Sequence, residues 1–107
     1  MLTKVSAFFM TFFVYVLQSQ VNNSFYKGST NDLQRRLAEH NTGKEKSTSR
    51  YLSWNLVWFA AKPDRSEAVI LEKKLKNLSV KRTIEFINKY PVSVDGFEVV
   101  PVRQSGF

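Results

Sequence analysis

The chain contains no cysteine and a single histidine. The first absence excludes disulfides, zinc fingers of the cysteine type and thiol catalysis. It suits a reducing, cytoplasmic setting, although exported proteins also lack cysteine. One histidine without a clustered acidic metal site leaves too few parts for a Ser-His-Asp nucleophile. No G-x-x-x-x-G-K sequence occurs, so the loop that cradles nucleotide phosphates is missing. Internal repeats and low-complexity tracts are absent too.

A long membrane-spanning run is also missing. The apolar stretch from Val5 to Leu17 has about 13 residues, too few to cross a bilayer as a helix. It admits two readings. With Lys4 as a basic flank it resembles a signal peptide, but no A-x-A-like cleavage site follows. Its β-branched and aromatic bias points instead to a buried strand. Met10 is a candidate second start, which would make Met1 to Phe9 a dispensable extension. Intact mass of protein expressed from its native start tests this, and a longer species alone would sink it.

What is present describes one small globular domain. A chain of 107 residues with 43% hydrophobic content can bury a single core. Sixteen Lys and Arg against nine Asp and Glu leave a net charge of +7. Such a field concentrates polyanions at the surface, nucleic acid before an anionic membrane.

Pattern and turn chemistry order the elements β-β-α-β-α-α, an α+β fold with a small three-stranded antiparallel sheet flanked by helices. The first strand runs Phe12 to Gln18, Asn22-Asn23-Ser24 turns the chain, and a second strand spans Phe25 to Lys27, ended by Gly28. Ser29 to Asp32 offers caps for a helix carrying Leu33 and Leu37, which Asn41-Thr42-Gly43 stops. A basic loop, Lys44 to Arg50, leads to a third strand at Trp54 to Ala61. Ser66 is the expected N-cap of a second helix with a Leu71-Leu75-Leu78 stripe. A third helix is expected from Ser79 to Tyr90, stopped by Pro91. The division is an N-terminal extension (1–11), a domain (12–90) and a tail (91–107), with a candidate edge strand at Phe97 to Val102.

Tyrosines, basic residues and isolated glutamates are left to carry chemistry. An even-numbered hairpin loop puts Tyr15 and Tyr26 on one sheet face, whereas an odd loop or bulge separates them. Gly28 leaves space beside Tyr26 for a backbone or ligand. At about 100° per residue, Arg36 sits beside the Leu33-Leu37 stripe while Arg35 points to solvent, and His40 lies one turn beyond Arg36. Glu67 belongs to the first turn of the second helix, where the dipole explains a carboxylate. Glu72 is mid-helix beside the stripe and is the better functional candidate, with Lys73, Lys74 and Lys76 around it to attract phosphate.

These segments carry a family resemblance. F-V-Y-V-L (Phe13 to Leu17), F-Y-K-G-S-T (Phe25 to Thr30), D-L-Q-R-R-L-A-E-H-N (Asp32 to Asn41) and S-E-A-V-I-L-E-K-K-L-K (Ser66 to Lys76) together resemble the GIY-YIG nuclease domain, in its small stand-alone bacterial form. The resemblance implies an endonuclease hydrolysing phosphodiester bonds, in structured or branched DNA such as repair intermediates before RNA, with one Mg²⁺ or Mn²⁺. It assigns Tyr15 to activating or orienting the water, Tyr26 to positioning water or phosphate, Arg36 to neutralising the phosphoryl oxygens, His40 to a polar place in the site, and Glu72 to the metal. Lys27, Lys44, Lys46, Arg50, Lys73 and Lys76 are the candidate contacts to the nucleic acid. No membrane partner is implied, and a dimer or partner protein would supply specificity that so small a domain lacks.

Two departures stand out: the first motif has no glycine, and in the second Lys27 replaces an apolar residue. Lys27 alternates away from Tyr26, so its charge is expected in solvent or toward substrate. The chemistry fits the scheme, since one cation and an arginine can stabilise the charge that develops on phosphate. Magnesium tolerates a single carboxylate because it keeps most of its waters. A tyrosine near pKa 10 is a poor base, so either its phenolate is favoured by Arg36 and the metal, or the metal generates hydroxide. Taken singly, each of these residues reads more often as a core or edge tyrosine, a solvated helix charge or a capping or packing histidine than as part of a site. A non-catalytic nucleic-acid-binding module is therefore the second reading, and a membrane-surface protein the third.

Overall fold

The computed structural model describes residues 11–92 and 99–104. Strands β1 (Phe12–Ser19), β2 (Phe25–Thr30) and β3 (Trp54–Lys62) and helices α1 (Leu33–Asn41), α2 (Arg65–Lys76) and α3 (Val80–Lys89) follow the expected order β-β-α-β-α-α, with a short 3₁₀ turn at Ser49–Tyr51. The sheet is antiparallel, ordered β2-β1-β3.

As the central strand, β1 is covered on both faces, which is why its sequence is a continuous apolar run rather than an alternating one. Val14 and Val16 face α2 and α3, packing with Val57, Trp58, Ala68, Leu75 and Ile87. Tyr15 and Leu17 face the other way, onto Leu33, Trp54, Leu56 and Phe59. A bulge between Val16 and Leu17 leaves Val57 without a partner residue on β1, so the aromatic-rich β3 can feed both cores.

Each helix begins on a side-chain cap. Asp32 accepts from the Arg35 amide, Asp64 from Glu67 and Ser79 from Arg82. The expected cap at Ser66 is therefore corrected to Asp64, and Ser66 lies inside α2. Gly43, at φ +81, lets the Lys44 amide return to the Glu39 carbonyl and closes α1. Gly28 does not end β2. The strand continues to Thr30, and Ser29 is a strand residue rather than a cap.

The expected edge strand is also corrected for the residues described. Val99–Val102 form no regular strand, and Pro101 has no amide to continue a ladder. The tail is pinned at two points instead: the Val100 amide donates to Leu56 O, and the buried Gln18 amide is bonded both ways to the Arg103 backbone. Phe97, Glu98, Met10 and nearly all of the N-terminal extension lie outside the described residues. Among those described, no helix is long and apolar enough to cross a membrane.

Candidate active site

Six residues separate the paired Gln18 and Phe25, an even loop, so Tyr15 and Tyr26 share a face. Tyr15 is directly opposite Gly28, and its hydroxyl lies only 2.7 Å from where a Cβ on Gly28 would be. The space left by that glycine is filled by the Tyr15 ring itself. This carries the phenol across β2 toward its outer edge, where β2 has no neighbouring strand among the described residues.

Helix α1 completes a cluster there. His40 is fully buried and packs 4.5 Å, centroid to centroid, from the Tyr26 ring, which stacks on Tyr15 at 6.2 Å. The His40 Nε2 and the Tyr15 hydroxyl are hydrogen-bonded at 3.0 Å, and Nδ1 meets Thr48 Oγ1 at 2.9 Å. Burial first, and the charge of Arg36 second, lower the His40 pKa to about 4, so the ring is neutral at physiological pH. Burial also pushes the Tyr15 phenol well above the ordinary tyrosine range, with Arg36 working against it.

Arg36 turns inward and Arg35 outward, as the helical spacing requires. Its guanidinium donates to Glu39 Oε1 at 3.0 Å and to Glu45 Oε2 at 2.6 Å. Burial opposes that charge, but the hydrogen bonds to Glu45 and Glu39 outweigh it and hold the group firmly protonated. Glu45, drawn from the basic loop, is correspondingly held ionised by Arg36.

Glu72 approaches from the opposite side of the sheet. Ser29, which alternates away from Gly28, donates to Glu72 Oε1 at 2.6 Å, and Lys76 Nζ pairs with Oε2 at 2.8 Å. Burial resists its ionisation, but Lys76 and Ser29 prevail and keep its pKa below the ordinary carboxylate value. The Tyr15 hydroxyl thus sits against Gly28 and the carboxylate against Ser29, so the two groups meet neighbouring residues of β2 from its two faces.

The basic candidates divide. Lys44, Lys46, Arg50 and Lys73 are exposed, the first three on the loop that supplies Glu45 and Thr48. Lys76 is exposed along its stem but tied to Glu72. The expectation that the Lys27 charge lies in solvent or toward substrate is corrected. Its half-buried ammonium donates to Leu75 O at 2.7 Å, Leu78 O at 3.3 Å and Thr83 Oγ1 at 2.8 Å. It thereby ties the end of α2 to the start of α3, adding a charged donor at Leu75 O, which also accepts from the Leu78 amide, and at Leu78 O in the connection between the two helices. Burial lowers its pKa.

Ser29, Glu39, Glu45 and Thr48 escape a reading of the sequence. For Ser29, strand alternation past Gly28 was the available signal. For Glu45 and Thr48 no periodicity exists, because a loop conformation brings them back onto α1.

Among the described residues no group of three or more His, Asp or Glu could hold a metal ion. A divalent cation here would rest on Glu72 alone, which suits a hydrated Mg²⁺ and not a dehydrated, all-protein site.

A family model for the GIY-YIG catalytic domain matches residues 11–88. A UPF0213 protein of Listeria innocua is 37% identical over 78 residues, covering 72% of this chain and 86% of its own. One from Lacticaseibacillus paracasei is 34% identical over 83 residues, covering 77% and 92%. The solution NMR structure of a UPF0213 protein from Bacillus halodurans aligns with a TM-score of 0.50 at 32% identity, covering 75% of this chain and 85% of that one. The chain belongs to the GIY-YIG family, whose domain is of the nuclease type, and its relatives include small UPF0213 proteins.

Proposed function

We propose that the protein is a metal-dependent endonuclease that hydrolyses phosphodiester bonds in nucleic acid, DNA before RNA. The observation that supports this best is the placement of the Tyr15–Tyr26–His40 cluster and of Glu72 against neighbouring residues of β2, with Arg36 on the same helix as His40, in a chain of nuclease-type family.

Each group has a task. Tyr15 and Tyr26 hold the attacking water, Arg36 takes the phosphoryl charge, and Glu72 anchors Mg²⁺ or Mn²⁺ through Oε atoms now shared by Ser29 and Lys76. A cation bound there supplies charge neutralisation at the phosphate and the leaving oxygen. Because the Tyr15 pKa is raised, a standing phenolate is disfavoured, and Tyr15 works with its proton in place until the water attacks phosphorus. Lys44, Lys46, Arg50 and Lys73 contact the phosphate backbone.

The test is incubation with labelled branched, duplex and single-stranded DNA and with RNA, in Mg²⁺ or Mn²⁺, beside Glu72→Ala. Metal-dependent cutting lost in the variant is expected. Salt-sensitive binding without cutting by either protein would favour a binding module, the second reading. That reading draws on Arg36 and Glu72 already being satisfied by Glu39, Glu45 and Lys76.

A further inference from the structure

Two residues of α1, Arg36 and His40, are each held by a residue of the following loop: Glu45 grips the first and Thr48 the second. Thr48 is itself fixed. It is 1% exposed, its carbonyl accepts the Trp54 indole N–H at 2.9 Å, and its hydroxyl donates to the Glu45 carbonyl at 3.3 Å. A threonine hydroxyl has one proton. With that proton directed at Glu45 O, the Thr48 oxygen faces His40 Nδ1 as an acceptor. Nδ1 then carries the hydrogen of the neutral ring, and Nε2 presents a lone pair to Tyr15. The Tyr15 oxygen agrees with this direction, because the Arg36 cation beside it favours its acting as an acceptor there, leaving its own proton for Nε2.

We propose that Thr48 is a positioning residue that sets the His40 tautomer, Nδ1–H with bare Nε2, and so makes His40 the acceptor of the Tyr15 proton. This rests, for its catalytic half, on the hydrolysis proposed above. There the water oxygen forms its bond to phosphorus while passing a proton to Tyr15 Oη, and Tyr15 passes its own proton to His40 Nε2. The bond from phosphorus to the leaving oxygen breaks with its electron pair, and that oxygen takes a proton from solvent. His40 ends as an imidazolium whose two N–H groups face Thr48 and Tyr15. It returns to neutral by losing one proton to solvent through Tyr15. Burial keeps the His40 basicity low, and phosphate charge that offsets Arg36 raises it.

Because the chain has one histidine, ¹⁵N-histidine labelling reads this tautomer without ambiguity. At neutral pH the wild type is expected to show a protonated Nδ1 and an unprotonated Nε2. Thr48→Ser is expected to keep that pattern, and Thr48→Val to move toward Nε2–H. An Nε2–H wild type, or a Thr48→Val spectrum with the wild-type tautomer, overturns the proposal whether or not the protein cuts nucleic acid. With a cleaving wild type, Thr48→Val should lose about ten-fold or more in kcat, with KM changed by less than about two-fold and activity kept in Thr48→Ser. An unchanged kcat in folded Thr48→Val overturns the catalytic half. A wild type that shows the expected tautomer and never cuts overturns the nuclease reading and with it that half, while the tautomer assignment stands.

Discussion

Gly28 and Tyr15 face each other across β1 and β2 so closely that a Cβ at Gly28 would lie 2.7 Å from the Tyr15 hydroxyl and 2.9 Å from Cζ. No methyl group fits there. Gly28→Ala must displace the Tyr15 ring and break its bond to His40. We expect a stability loss of about 1–3 kcal/mol and a fall in cleavage of about a hundred-fold. Thermal unfolding and single-turnover cleavage check both. Full activity in Gly28→Ala would show that the Tyr15 position is immaterial.

His40 makes stability depend on pH in a defined window. Its pKa falls from 6.5 to about 4 on folding, so between those values the unfolded chain binds a proton that the native protein does not. Stability is therefore fully present above 6.5 and is lost as the pH falls toward 4. The loss is on the order of 3 kcal/mol, the size of that fall with the opposing effect of Glu39 and Glu45 already included. Denaturant midpoints across this range should slope in the wild type and flatten in His40→Asn. Glu72 and Glu45, with lowered pKa values, add their own losses only below the ordinary carboxylate range.

Lys27 separates a structural charge from a binding one. Lys27→Met removes the donor to Leu78 O and Thr83 Oγ1 and leaves Leu75 O with backbone donors only, at a cost of about 1–3 kcal/mol. The dependence of nucleic-acid affinity on salt should stay at its wild-type slope. By contrast, neutralising Lys46 or Arg50, both exposed on the loop, should reduce that slope by roughly one each at little cost in stability.

On the proposed reading, Glu45 competes with phosphate for Arg36. Glu45→Gln should tighten nucleic-acid binding by about three- to ten-fold at low salt, since Arg36 would then keep a weaker internal partner. Titration by fluorescence anisotropy reads this, and weaker binding in Glu45→Gln would count against Arg36 as a phosphate contact.

Much of this geometry is written in local periodicity. Strand alternation puts Tyr15 with Tyr26, and helical spacing turns Arg36 inward and Arg35 outward, because both depend on neighbours within a few residues. Lys27 shows where such reasoning stops. Its face is predictable from alternation, but the α2 carbonyls that capture its ammonium come from elsewhere in the chain. The same holds for Gly28, whose space is taken by a residue on another strand, and for Thr48, which depends on Trp54 to hold its loop. Between Asp64 and Ser66, two good capping residues, propensity cannot choose; the backbone leaving β3 decides.

The contacts of Arg103 redraw the limits of the cooperative unit. Its backbone pairs with the Gln18 side chain, and its guanidinium reaches Gln20 O and Asn23 Oδ1, at the hairpin that joins β1 to β2. A chain cut after Tyr90 would leave the buried Gln18 amide without those partners and the β1–β2 corner without its clasp. Tyr15 and Tyr26 both grow from that hairpin. Residues beyond the last helix thus act as a remote brace for the β1–β2 hairpin, and a tag or fusion joined before Arg103 would loosen the Tyr15–Tyr26 cluster from a distance.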